Sequence, residues 1–197
     1  MWGGADPGGK KQFGVATLRD DGTFSTTCVS CADDALAWLP LELRGLGIDS
    51  PMWWASSVSS DRYADKWIRG QFKRSSGTVQ AANSLRGAAL VQGHMLAVRA
   101  RENSPKLPIT EAHPKALLKA LKLRSWNEIS KAFSLQGSRP NEHERDAVLA
   151  AVAAREGFCG RWKIDLAQTR DAREQDTSKL AFGNVNYWWP GQQAMKS

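Results

Sequence analysis

Trp2 to Thr17 reads W-G-G-A-D-P-G-G-K-K-Q-F-G-V-A-T, a short apolar run that ends in one carboxylate, Asp6, and turns back at once. Pro7 fixes φ, Gly8 and Gly9 permit positive φ, and Lys10 and Lys11 finish a polar turn before Phe13, Val15 and Thr17 resume a strand-like alternation. The stretch predicts a hairpin with an acid at its mouth. An acid beside backbone that can approach closely suits a divalent cation or a magnesium-bound phosphate. A plain Asp-Pro-Gly turn is the alternative, so other carboxylates must decide between them.

Moving outward, the second strand is expected over Phe13 to Arg19, and Asp20-Asp21-Gly22 turns into a third over Thr23 to Val29, giving three antiparallel strands. Ser30 with Asp33 forms a capping-box pattern opening a helix through Ala35, Leu36 and Leu39, which Pro40 helps to end. The next strand, Leu46 to Asp49, also ends in an acid. Because a helix precedes it, it is expected to lie parallel to the first strand by a crossover.

Ser50 to Ser60 is a loop whose Trp53 and Trp54 suit a rim or lid. A helix is predicted from about Asp61 to Arg74, with Arg62, Lys66, Arg69 and Lys73 in one basic stripe and Ala64, Trp67, Ile68 and Phe72 on the apolar face. The stripe reads either as a solvated face or as a grip on phosphates. Ser75-Ser76-Gly77 breaks to a second helix, Val79 to about Arg101, polar along Gln80, Asn83 and Arg86. Beyond Pro105 and Pro108 a short strand, Ile109 to Glu111, ends in a third acid, and Pro114 starts the helix of Leu117, Leu118 and Leu121. A polar segment with Gly137 and Pro140 leads to the last helix. There Asn141 and Glu144 form a capping box, and Ala147, Ala150, Ala151 and Ala154 form a face small enough to sit close on a sheet. After Gly157 the chain is polar, with Trp162 and Tyr187-Trp188-Trp189-Pro190 expected to fold back as a flap.

If the strands ending in Asp6, Asp49 and Glu111 are parallel members of one sheet, their acids share its carboxyl edge, where open α/β sheets place ligands. Asp146 is a candidate fourth ligand, whereas Glu144 fits its capping role better. Adjacent strand ends about 4.8 Å apart can bridge two cations about 3.5 to 4 Å apart, the geometry of two-metal phosphoryl transfer. Mg²⁺ or Mn²⁺ suits such oxygen ligands, and hydrolysis of a phosphodiester is the expected chemistry, with Lys10 or Lys11 offering charge to the phosphate. His113 and His143 are candidates for proton transfer, against surface or capping roles.

Composition sets the outer bounds. The chain has 197 residues, enough for one compact domain, and carries 27 Lys and Arg against 20 Asp and Glu, a net charge of +7. A sequence pI near 9.5 favours polyanionic partners such as nucleic acid. Nine tryptophans are many for this length; some are expected in the core, and a surplus beside basic residues also suits base stacking. No apolar run approaches the roughly 20 residues needed to span a bilayer, and the N-terminus lacks a signal-peptide layout, so a cytoplasmic protein is expected. Cys28 and Cys31 make one C-x-x-C; zinc would need Cys159 and one of His94, His113 or His143 to converge on it, and buried thiols in a reducing compartment are the simpler reading.

A-D-P-G-G followed by F-G-V-A resembles the first strand and hairpin of ribonuclease-H-like nucleases, particularly the bacterial Holliday-junction resolvases. G-I-D-S-P at Gly47 to Pro51, T-E-A-H-P at Thr110 to Pro114 and E-R-D-A-V-L-A-A at Glu144 to Ala151 are similar to a family of predicted nucleases of that fold. The matches run in the family's order from about Trp2 to Ala154. The resemblance implies an α/β, ribonuclease H-like mixed sheet in the order 3-2-1-4-5, from which this chain departs by a helical insertion at about 61–101 between strands four and five. On this reading residues 1–156 form the domain and 157–197 an extension packed on it. The resemblance also implies a metal site at Asp6, Asp49, Glu111 and Asp146 and a nuclease activity, and it leaves open a homodimer such as junction resolvases tend to form. In such a nuclease the Arg62 to Lys73 stripe would grip the phosphate backbone and Trp53 or Trp54 would stack near the cleavage point. A non-catalytic nucleic-acid- or protein-binding module on the same fold is the alternative. Nucleotide phosphotransfer, as in sugar kinases and actin-like ATPases, needs a second lobe for which the chain has no room.

Overall fold

The computed structural model describes residues 1–55, 61–72, 79, 87–169, 174–176, 179–180 and 182–191. Three antiparallel strands come first: β1 (Trp2–Asp6), β2 (Phe13–Leu18) and β3 (Phe24–Val29). Helix α1 (Ala32–Trp38) leads to β4 (Gly45–Ile48), helices α2 (Tyr63–Gln71) and α3 (Gly87–Asn103) follow, and β5 (Ile109–Glu111) completes a mixed sheet ordered β3-β2-β1-β4-β5. β4 runs parallel to β1 and β5 parallel to β4. Helices α4 (Pro114–Ala120), α5 (Trp126–Phe133) and α6 (Glu142–Phe158) come next, and β6 (Ile164–Asp165) pairs with β7 (Trp188–Trp189) in a separate ribbon.

Helix α6 sets the geometry of everything above the sheet. Asn141 Oδ1 accepts the Glu144 amide at 3.0 Å while Glu144 accepts the Asn141 amide at 2.9 Å, the reciprocal cap expected from the sequence. Ala147, Ala150, Ala151 and Ala154 are fully buried, and the first three lie against glycines of the sheet. A Cβ at Gly4, Gly14 or Gly47 would overlap the carbonyl oxygens of Ala147, His143 and Ala150 respectively, so backbone lies on backbone across three strands. On the opposite face α3 packs on α1, and Gly93 of α3 sits against Ser50.

Several local expectations shift. The N-cap of α1 is Cys31, with Asp34 accepting the Ser30 amide at 3.4 Å; Asp33 instead faces Arg99 at 3.4 Å. α5 occupies a segment read as merely polar; Ser125 and Glu128 make a capping box there. Lys73, the Ser75-Ser76-Gly77 break and Gln80, Asn83 and Arg86 lie outside the described residues. The chain beyond α6 lies along the free edge of β5, where Thr110 bridges Asn186, and buries Trp162, Tyr187 and Trp189. No helix among the described residues is long and apolar enough to cross a membrane.

Candidate active site

The sheet register decides which acids meet. Gly4 and Gly47 face α6, so two residues further along each strand Asp6 and Asp49 face it too. They are neighbours, because Ala5 pairs with Ile48 and the Asp49 amide donates to the Ala5 carbonyl at 2.9 Å. Asp146, in the second turn of α6, is buried among them. Burial pushes the Asp6 carboxyl up to about 6, the charge of Asp146 adds to this, and His143 and Lys115 oppose it. Asp49 is driven well above the usual carboxylate range by burial and then by Asp6 and Asp146, and Asp146 is raised chiefly by burial.

Three basic side chains surround this trio. His143 Nδ1 lies 2.8 Å from Asp6 Oδ2. Arg145 donates through Nε at 2.8 Å and Nη2 at 2.7 Å to a single oxygen, Asp146 Oδ1. Lys115 pairs with Glu142 at 3.1 Å and acts electrostatically on all three aspartates. Asp6 Oδ1, Asp146 Oδ2 and both oxygens of Asp49 take no hydrogen bond from any described residue. Hard, negatively charged and partly unengaged oxygens suit Mg²⁺ or Mn²⁺ by donor chemistry. As the side chains stand, no three His, Cys, Asp or Glu among the described residues are close enough together to hold a metal, so a cation would have to draw the carboxylates inward.

Glu111 does not join them. It is in register with Ile48, one residue short of Asp49, and a one-residue offset turns its side chain to the other face of the sheet. There Arg62 binds it with both Nη atoms, at 2.6 and 2.7 Å, and the Met52 amide adds a third bond at 2.9 Å. Arg62 also holds Asp65 at 2.9 and 3.0 Å and lies over the Trp53 ring, 4.3 Å from its centroid. Arg62 and Trp53 are buried, so neither lies on an exposed phosphate-facing surface. Asp65, which burial alone would raise, is lowered first by Arg62 and then by the charge of His113.

The remaining candidates are dispersed. Lys10 and Lys11 are exposed at the tip of the β1–β2 turn, Lys11 at φ 59°. Lys66 is exposed on α2, but Arg69 is bound to Asp61 at 2.6 Å and to the Val79 carbonyl at 3.1 Å. Trp54 is exposed beside the buried Trp53. Cys28 touches Asn141 at the start of α6, whereas Cys159 caps its far end, about 25 Å away at helical rise, so the thiols do not converge. Sequence reasoning passed over Lys115 and Arg145. The available signals were position alone: Lys115 follows the proline that opens the helix after β5, and Arg145 precedes Asp146.

Comparison with known proteins returned no matching family model, no matching curated protein and no matching solved structure.

Proposed function

We propose that the chain is a metal-dependent phosphodiesterase acting on nucleic acid, built on a ribonuclease H-like fold, with Asp6, Asp49 and Asp146 as cation ligands. The observation that carries this reading is the trio itself. Three carboxylates, at the end of β1, just after β4 and in α6, lie on one side of the sheet's carboxyl edge within electrostatic reach of one another, and the carboxylate of Asp49 has no hydrogen-bonding partner among the described residues. Mutual repulsion of this kind is costly unless a cation offsets it. Bound there, one or two divalent ions would acidify a coordinated water and neutralise charge on the scissile phosphate. The chain's own contribution is to place the acids on rigid strands, to hold Asp6 and Asp146 through His143 and Arg145, and to offer Lys115 as a further positive charge. His143 can accept a proton from the attacking water when its hydrogen bond to Asp6 is relaxed. Glu111 is left out of this ligand set.

Calorimetric titration of Mn²⁺ and Mg²⁺ into the wild type, Asp6→Asn, Asp49→Asn and Asp146→Asn, with nuclease assays on single-stranded, duplex and branched substrates, tests the proposal. Cation binding and cleavage are expected in the wild type and lost together in each variant. A second reading, a binding module without catalysis, draws on the basic side chains already seated on Asp6 and Asp146. It is favoured if nucleic acid binds undiminished in Asp6→Asn and no protein cleaves.

A further inference from the structure

Beside the carboxylate trio a groove of about 490 Å³ runs between α5 and the start of α6, with Arg124, Trp126, Arg139, Asn141, Glu142 and Arg145 among its walls. Its charge is one-sided. Three guanidinium groups face one carboxylate, and that carboxylate, Glu142, is engaged by Lys115 at 3.1 Å and approached by Arg145 at 3.9 Å. Arg124 and Arg139 are exposed and form no ion pair with any described residue. Trp126 is half-buried, edge-on to Phe24 with ring centroids 5.5 Å apart, which fixes its ring at the groove. Arg145 belongs to both places, since it lines the groove and binds Asp146 at 2.7 Å. Free arginines beside a fixed indole are the side chains that bind phosphate backbone and flank bases.

We propose that this groove carries a nucleic-acid strand to the carboxylates, with Arg124 and Arg139 on backbone phosphates, Trp126 against a base and Arg145 at the inner end. The inference rests on the phosphodiesterase reading and names the path by which its substrate enters. It also replaces the α2 stripe as the main contact surface, because Arg62 is buried and Arg69 is already paired.

Fluorescence anisotropy of labelled single-stranded DNA and RNA oligonucleotides and their duplexes, over a range of salt and in both EDTA and Ca²⁺, tests the path. Arg124→Gln and Arg139→Gln change exposed side chains, and circular dichroism melts check that the fold is kept. Each variant is expected to weaken binding several-fold and to flatten the slope of log affinity against log salt by about 0.7 to 1, the effect of one lost phosphate contact. Lys66→Gln on α2 is expected to change neither. The groove is overturned if the wild type binds no probe under either condition, if the double arginine variant binds as the wild type does, or if Lys66→Gln loses as much as the arginine variants. Failure of the enzymatic reading looks different: salt-sensitive binding that depends on both arginines, with no cleavage in Mn²⁺, leaves the groove standing and removes the catalysis.

Discussion

Gly4 marks the point where α6 comes closest to β1, and the consequence of filling it can be stated in energy. A methyl group there would overlap the Ala147 carbonyl and press on Ala151, both of which are backbone or buried, so the helix itself must move. Overpacking of that kind costs about 1 to 3 kcal/mol and sometimes more; Gly4→Ala is expected at the upper end, because backbone rather than a flexible side chain is displaced. Urea denaturation would read the loss. Since α6 also carries His143 and Asp146 towards Asp6, the same variant should weaken Mn²⁺ binding in titration. Loss of stability with cation affinity intact would mean that the separation of helix and strand does not set the site.

At the scale of elements, α2 is held at its start by one buried ion cluster. Arg62 links its own helix, through Asp65, to the last residue of β5, and each of the three side chains is about 1% exposed. Breaking a buried pair from one side leaves a charge stranded and costs about 3 to 5 kcal/mol. Glu111→Gln should fall near the lower figure, because Asp65 still faces Arg62, and should leave Mn²⁺ affinity unchanged. The reverse pattern, weakened cation binding in a protein of undiminished stability, would return Glu111 to the ligand set. This element also shows how far the sequence carries. The hairpin pairing of β1 to β3, the parallel entry of β4 and the cap of α6 follow from local signals, namely turn residues, a helix between strands and the Asn141–Glu144 pair, whereas the place of β5 beside β4 is implied by the family resemblance alone. The face of Glu111 follows from neither. Ile109, Thr110 and Glu111 are all buried, so the three residues show no alternation from which a register could be read. Arg62 departs from its expected place on the exposed stripe for a related reason. Helical spacing places it in line with Lys66 and Arg69, but as the N-cap its backbone is extended and its side chain reaches inward.

For the whole molecule, these buried acids predict an unusual response to pH. In the folded chain the Asp6 carboxyl is pushed up to about 6, above the ordinary carboxylate range, because of burial first and then Asp146, and Asp49 and Asp146 shift in the same direction. Between that range and the raised value the folded state keeps protons that the unfolded chain has released, so stability falls as pH rises through the window and stays low above it. Asp65 and Glu156 act oppositely. Against burial, Arg62 lowers the first, and Arg161 with Arg155 lowers the second, so both lose stabilisation on the acid side of the ordinary carboxylate range. Metal-free protein should therefore be most stable near pH 5, between the two effects, rather than at neutrality. A divalent cation requires the trio deprotonated, and so should restore at pH 7.5 what repulsion removes there while doing little at pH 5. Thermal melts at the two pH values, in EDTA and then in Mn²⁺, provide the check. The expected pattern is a lower melting temperature at pH 7.5 in EDTA and a larger rise with Mn²⁺ at that pH. A melting temperature that increases steadily from pH 5 to 7.5 in EDTA, with no response to Mn²⁺ at either, would mean that the three aspartates do not repel one another enough to need a cation.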